Sequence, residues 1–213
     1  IGIDKDIQKR LARDAGVPVA KYEVVSLEGF QQNPDDILKT IEKNIGFPCF
    51  VKPNALGSAV GVNRSKTPAE LRNHLQQALA FDTKALVEEP MVGTEVECAF
   101  LGTRDAPRIT IAGEVAPKDF YSYEEKYAAE SEAAVYIPAR LDPKRMAELQ
   151  NHARTIAITF SLDGLTRIDF GNCTKTNRGV FNEIKPLPGL TSSSQLPKLW
   201  EHEGVSGAQW IDE

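Results

Sequence analysis

Two stretches near the C-terminal end bring together residue types able to do phosphate chemistry. Arg167-Ile168-Asp169-Phe170 and Phe181-Asn182-Glu183-Ile184-Lys185 read as short β-strands joined by a polar turn at 175–179. Side chains alternate along a strand with a period of two. Arg167 and Asp169 therefore share one face, Glu183 and Lys185 another, and Asn182 with Ile184 the face opposite to theirs. If the strands pair, Asp169 and Glu183 converge as two carboxylates. Such a pair needs a cation, and a hard oxygen site suits Mg²⁺ carried in with a nucleotide phosphate. The plainer reading, two solvated strand acids, leaves unexplained the neighbouring arginine and the loop Pro188-Gly189-Leu190-Thr191-Ser192-Ser193-Ser194 that follows.

Three further stretches extend this chemistry. Lys52 ends an apolar run and is followed by a turn containing Gly57, Ser58 and Gly61, whose backbone N–H groups can approach phosphate oxygens while Lys52 adds a point charge. A plain glycine turn reads as well from that segment alone; it is neither a Walker A loop nor a dinucleotide fingerprint. Glu88 and Glu95 bracket the turn at 90–93, as acceptors for an adenine edge and ribose hydroxyls or as surface acids at a bend. Phe120-Tyr121-Ser122-Tyr123-Glu124-Glu125-Lys126-Tyr127 has the aromatic content of a cover over a reactive centre, or of a cluster pinning its own loop.

The elements that must position these groups follow from periodicity and end signals. A helix is expected over 4–16, with Ile7 and Leu11 one turn apart and Gly16 as its stop. Asn33-Pro34 opens a second, carrying Ile37, Ile41 and Ile45. Thr67-Pro68-Ala69-Glu70 reads as a capping box for a third, with Leu71, Leu75 and Leu79 as its buried stripe. Residues 142–160 form a fourth, with Met146, Leu149, Ala153, Ile156 and Phe160 on one side. Strands are expected at 47–52, 85–89, 95–101 and 108–115, and a surface loop at 118–132. This is an α+β pattern, with a subdomain boundary near Pro90: residues 1–89, then 90–213.

Composition narrows the class. Hydrophobic content of 41% and charged content of 26% are those of an ordinary globular chain, and a net charge of -5 gives no general attraction to nucleic acid or anionic membranes. No apolar run reaches membrane-spanning length, and the N-terminus lacks a signal peptide's apolar core. Cys49, Cys98 and Cys173 read as buried free thiols in a reducing, cytoplasmic setting, and His74, His152 and His202 do not form a zinc pattern.

Taken in order, these stretches resemble the ATP-grasp enzymes, and closely the D-alanine–D-alanine ligase family. The likeness runs from Ile3-Asp4-Lys5-Asp6 and Ala15-Gly16-Val17-Pro18-Val19-Ala20 to Pro197-Lys198-Leu199-Trp200, and the stretch at 120–127 is its most specific part. It implies two α+β subdomains clasping ATP, with Mg²⁺ or Mn²⁺, and D-alanine as the other substrate. By resemblance, Lys5, Lys52 and Lys126 contact ATP phosphates, Glu88 lies at the adenine and Glu95 at the ribose. Ser58 and the lid's Tyr127 close the site near the first D-alanine, and Arg167 steadies the acyl phosphate and tetrahedral oxyanion. Asp169 and Glu183 bind magnesium, with Glu183 bridging two ions, while Gly189 and Ser194 hold the second D-alanine.

Two departures stand out. Family members carry an N-terminal domain of about 90 to 100 residues, a usual domain size, and a C-terminal helix. The expectation is thus a fragment, weak or inactive alone and monomeric, of a protein that is otherwise a homodimer. The family also has Asn, a magnesium ligand, where this chain has Lys185, and an ammonium has no lone pair to give. Either Lys185 replaces that ion's charge, or the site binds one metal, or the activity has drifted; if binding of the second ion is impaired, Lys185→Asn lowers the magnesium needed for ATP turnover. The alternatives are a ligase taking D-serine as second substrate and a non-catalytic ATP-grasp module of a larger protein.

Overall fold

The structure, a computed structural model, describes residues 2–116, 134–191 and 194–212. The expected lid at 118–132, with Lys126 and Tyr127, lies outside the described residues.

The chain begins with helix α1 (Lys5–Asp14), strand β1 (Tyr22–Ser26) and helices α2 (Leu27–Gln32) and α3 (Pro34–Asn44). Strands β2 (Cys49–Pro53) and β3 (Asn63–Ser65), helix α4 (Pro68–Phe81) and strand β4 (Lys84–Glu88) complete a four-stranded antiparallel sheet ordered β1-β4-β2-β3. Helices α3 and α4 cover it. Leu38, Ile41, Leu71 and Leu75 meet Val25, Val51 and Val87 in one apolar cluster, so the leucine stripe of α4 packs as its spacing predicts. Thr67 Oγ1 accepts from Glu70 N, while Glu70 reaches back to Lys66 N, one residue beyond the reciprocal bond of a capping box. Helix α2, capped by Ser26 accepting from Gly29 N, has too short an apolar period to be read from sequence.

A second antiparallel sheet holds β5 (Gly93–Thr103), β6 (Ala106–Ile109), β7 (Gly113–Ala116), β8 (Ala134–Tyr136), β9 (Gly164–Cys173) and β10 (Arg178–Lys185). Its order is β10-β9-β5-β7-β8, with β6 paired to β5. Helix α5 (Pro143–Thr159), capped by Asp142, packs Leu149, Ala153 and Ile156 against Phe100, Ile168, Phe170 and Phe181. Helices α6 (Gln195–His202) and α7 (Gly207–Asp212) close the described chain. The strand expected over 108–115 is two strands. Between them Thr110 Oγ1 accepts from Ala99 N, and Ile111 N donates to Glu203, so side chains replace the ladder partners that a continuous strand would need.

The two sheets meet where β4 gives way to β5. Gly93 has φ +154°, and a Cβ there would lie 1.9 Å from the Asn172 carbonyl oxygen, so only glycine permits that approach to β9.

Helix α1 turns a largely polar stripe inward. Ile7 is 37% exposed, while Lys5, Gln8, Lys9 and Ala12 face inward. The inward stripe follows i, i+3, i+4, i+7 and is polar for three of its four members, because it faces a charged cleft as well as the second sheet's core. Asn54 Oδ1 accepts from Asp6 N, and Gln8 Oε1 accepts from Ile184 N, tying α1 to both sheets.

Candidate active site

The expected hairpin is present, with Glu183 paired directly to Asp169 and Lys185 to Arg167. A β-bulge at Asn182 alters the face pattern. Phe181 pairs with Phe170 and Glu183 with Asp169, so β10 carries one residue more than its partner. Phe181 and Ile184 enter the core, while Asn182, Glu183 and Lys185 line the cleft. Simple alternation, which puts Asn182 with Ile184, fails because the extra residue shifts the phase by one. Gln8 receives the backbone N–H of Ile184 just past this irregularity.

Strand β5 adds an acid that the sequence reading missed. Glu97 pairs with Asp169 across β5–β9, so Glu97, Asp169 and Glu183 form a row over three adjacent strands. Glu97 lies two residues from Glu95, the spacing that places both on one face. Beside the acids run Arg167 and Lys185. The Arg167 guanidinium bonds both Asp169 oxygens, Nε to Oδ1 at 2.7 Å and one terminal nitrogen to Oδ2 at 2.8 Å, and reaches Glu97 at 3.1 Å. Lys185 Nζ is 3.2 Å from Asp169 Oδ2 and 3.4 Å from Glu183 Oε1, and Lys5 Nζ is 3.0 Å from Glu183 Oε2. Burial pushes the Asp169 and Glu183 carboxyls up, but the facing cations outweigh it and hold both below the usual carboxylate range.

Across the cleft, Lys9 and Lys52 share Glu88. Lys9 Nζ lies 2.9 Å from Glu88 Oε1, and Lys52 Nζ lies 2.6 Å from Oε2 and 3.3 Å from Asn182 Oδ1. Burial raises the Glu88 carboxyl, but Lys52 and Lys9 overcome it and hold it at about 2. Both Glu88 oxygens engage ammonium groups at the cavity wall. Lys9 went unread in the sequence, although Lys5-x-x-x-Lys9 places both ammoniums on one helix face.

These groups surround a cavity of about 540 Å³ lined from both sheets, by Lys52 and Glu88 on one side and Thr94, Glu95 and Glu183 on the other. Glu95 is exposed at the rim. The turn at 57–60 also lines it, with Ser58 at φ +56° and Ala59 at φ +59°. Lys5 Nζ donates to the Leu56 carbonyl at the start of that turn. A second cavity of about 390 Å³ shares Lys5, Ser58, Glu183 and Lys185 with the first and continues to Arg167, Gly189 and Ser194. A Cβ on Gly189 would lie 2.5 Å from Ser194 Oγ, so the absence of a side chain there lets the loop fold against this hydroxyl. Ten of the thirteen expected site positions thus line two cavities that share residues; Asp169 is paired directly to Glu183 beside them, and Lys126 and Tyr127 lie outside the described residues.

The donor set bears on magnesium. No cluster of three or more His, Cys, Asp or Glu arranged to hold a metal is found among the described residues. Each carboxylate oxygen has lone pairs beyond the one its cationic partner takes, and Mg²⁺ is commonly held by one or two carboxylates with phosphate and water completing its shell. Asp169 and Glu183 fit one such ion arriving with a phosphate ligand. For a second ion, position 185 offers an ammonium, with no lone pair, where the resemblance expects an oxygen ligand.

Two antiparallel sheets closing on a cleft of lysines and carboxylates are the architecture of the ATP-grasp ligases. The VanG D-Ala:D-Ser ligase of Enterococcus faecalis superposes with a TM-score of 0.86 at 32% identity, over 99% of this chain and 60% of that one. D-alanyl-alanine synthetase A of Vibrio cholerae gives 0.86 at 29% identity, over 99% and 63%. Residues 11–213 match the family model described as D-ala D-ala ligase C-terminus, and the chain belongs to that family. The D-alanine–D-alanine ligase of Bacillus cytotoxicus is 38% identical over 213 residues, covering all of this chain and 58% of that protein. That of Oceanobacillus iheyensis is 40% identical over 216 residues, covering 57% of its length. The chain therefore spans a little under three-fifths of these relatives. No helix among the described residues is long and apolar enough to cross a membrane.

Proposed function

We propose that this chain carries the nucleotide- and metal-handling part of an ATP-dependent ligase that joins two D-alanines, in the cytoplasm, for cell-wall precursor synthesis. The observation that supports it most is the adjacency of the two cavities: a lysine-lined compartment shares Glu183 and Lys185 as a common wall with one bounded by Arg167, Gly189 and Ser194. One compartment suits a polyphosphate, the other a small zwitterion, and the charged row lies between them. On this reading residues 1–89 and 90–213 are the two subdomains that close on ATP.

Lys5, Lys9 and Lys52 hold and orient the triphosphate, the backbone N–H groups of the turn at 57–60 approach its terminal oxygens, and Glu95 accepts from the ribose at the rim. Magnesium bound at Asp169 and Glu183 would neutralise charge on the transferred phosphoryl group. The carboxylate oxygen of one D-alanine attacks the γ-phosphorus, the bond to the bridging oxygen breaks, and ADP leaves with that electron pair. The amine of the second D-alanine then attacks the acyl carbon. The bond to phosphate breaks, phosphate leaves, and the amine sheds a proton. Arg167 faces the oxygen that gains charge in this step, so its contribution is electrostatic positioning. Ser194 donates its hydroxyl to the second substrate's carboxylate, and the segment at 118–132, with Lys126 and Tyr127, excludes water that would intercept the acyl phosphate.

D-serine as second substrate is a further reading, supported by the overlay on a D-Ala:D-Ser ligase at a TM-score of 0.86. Phosphate release from ATP by the protein in its native length, assayed with D-alanine alone and with D-alanine plus D-serine, decides between them. Release dependent on D-alanine alone, yielding the homodipeptide, is the expected outcome. Release that requires another amino acid overturns the substrate assignment.

A further inference from the structure

Gln8 is a buried, uncharged residue on the inward stripe of α1, between Lys5 and Lys9, and it belongs neither to the charge pairs nor to the apolar core. Both ends of its amide are committed. Nε2 donates to the Gly2 carbonyl at 3.0 Å, and Oε1 accepts from Ile184 N at 2.9 Å, across 176 positions of sequence. One partner is an acceptor and the other a donor, which fixes the way the amide points.

Strand β10 ends the order of its sheet, so the N–H groups on its outer edge must find acceptors beyond the sheet. Phe181 N donates to the Pro18 carbonyl at 2.8 Å, and Ile184 N donates to Gln8. In a regular strand the N–H groups on one edge recur every second residue. Here they recur after three, at 181 and then 184, and the extra residue is the bulge at Asn182. A β10 without the bulge would turn Glu183 N to this edge in place of Ile184 N. The Gln8 oxygen therefore engages the bulged form of the strand and not the regular one.

That form is the one that serves the site. It sets Glu183 opposite Asp169 and brings Asn182 to Lys52, while Phe181 and Ile184 enter the core. Burial of both Phe181 and Ile184 already demands an extra residue between them, because side chains an odd number of positions apart otherwise face opposite ways. Core burial alone leaves the placement of the two intervening residues free. Pro18 and Gln8 grip the strand on either side of them. Gln8 also belongs to the helix that carries Lys5, whose ammonium lies 3.0 Å from Glu183 Oε2.

Resting on the nucleotide reading above, we infer that Gln8 is a positioning residue: by accepting the Ile184 N–H it locks the bulge of β10, and so holds the Glu183 carboxylate opposite Asp169, the pair that takes the nucleotide-borne magnesium.

Gln8→Met keeps the length of the side chain and removes the acceptor. Binding of a non-hydrolysable ATP analogue to the native-length protein, measured by calorimetry with and without Mg²⁺, separates placement of Glu183 from general loosening of the fold. Mg²⁺ is expected to strengthen analogue binding about 10-fold less in Gln8→Met than in wild type, the lower end of what loss of a group that orients a metal ligand costs, while affinity without Mg²⁺ stays close to that of wild type. Thr67→Ala removes the cap of α4, outside both cavities, and is the control for stability alone; it is expected to keep the full gain from Mg²⁺. A full gain in Gln8→Met, or an equal loss in both variants, overturns the inference and leaves the nucleotide reading standing. A wild-type protein that binds no analogue overturns both. Amide hydrogen exchange on the wild type needs no variant: Ile184 N–H is expected to be as protected as Phe181 N–H, and rapid exchange at Ile184 overturns the inference even where Gln8→Met fails to fold.

Discussion

The two walls of the cleft solve one electrostatic problem in opposite ways. On the four-stranded sheet a single acid, Glu88, lies between two lysines, Lys9 and Lys52. On the six-stranded sheet a single lysine, Lys185, lies between two acids, Asp169 and Glu183. The first triad carries an excess positive charge and the second an excess negative one. Burial of ionised groups is costly unless each is paired, and both triads meet that demand internally. The difference lies in what each leaves over: cation for a phosphate chain on one wall, carboxylate for a metal ion on the other. The negative triad also has outside support from the charged Arg167 and Lys5, where the positive triad has the neutral amide of Asn182 on Lys52.

That asymmetry can be broken from either side. Glu88→Ala has the largest expected effect, because it strands two ammoniums, one of them on the fully buried Lys9. A loss of about 3–5 kcal/mol is expected, the range for removing one partner of a buried pair, read from the urea midpoint. Lys185→Ala is expected to cost less, about 1–3 kcal/mol, since Arg167 and Lys5 still hold Asp169 and Glu183. Added Mg²⁺ is expected to raise the melting temperature of that variant more than that of the wild type; equal shifts would count against a metal position between the carboxylates. Glu95→Gln, at the exposed rim, is expected to leave stability within about 0.5 kcal/mol of wild type while weakening nucleotide binding, measured by calorimetry.

Acid supplies a finer probe. The folded Glu88 carboxyl sits at about 2, below its ordinary value of 4.5. A depressed carboxyl stabilises the fold fully above the unfolded value, and that contribution is lost as pH falls from about 4.5 towards about 2. Stability measured over that window is expected to fall less steeply in Glu88→Gln than in wild type, whatever its starting level. Parallel curves would show that the Glu88 triad is not what acid disrupts.

Much of the scaffold was legible because it depends on local periodicity. The leucines of α4 and the apolar side of α5 follow from spacing alone, and the structure agrees with both, whereas the direct pairing of Asp169 with Glu183 also needs the bulge at Asn182. The misreadings have a common cause. The spacing of Ile7 and Leu11 predicts helix α1 but not the face it buries, Lys5, Gln8 and Lys9, because what it packs against includes a charged cleft. Lys9 and Glu97 were passed over for the same reason: alone, each looks like a solvated surface charge, and only a partner distant in sequence makes it a buried one.

The sequence by itself determined which charges this protein has, the order in which they come, and the presence of an ammonium at position 185 in place of an oxygen ligand. Tertiary structure decided which charge faces which. The bulge at Asn182 turned that residue into the cleft beside Glu183, the strand registers lined up Glu97, Asp169 and Glu183, and the closeness of the two sheets brought Lys52 within reach of Asn182. Pairing energies depend on a few ångströms between residues more than a hundred positions apart, and no local pattern encodes such distances.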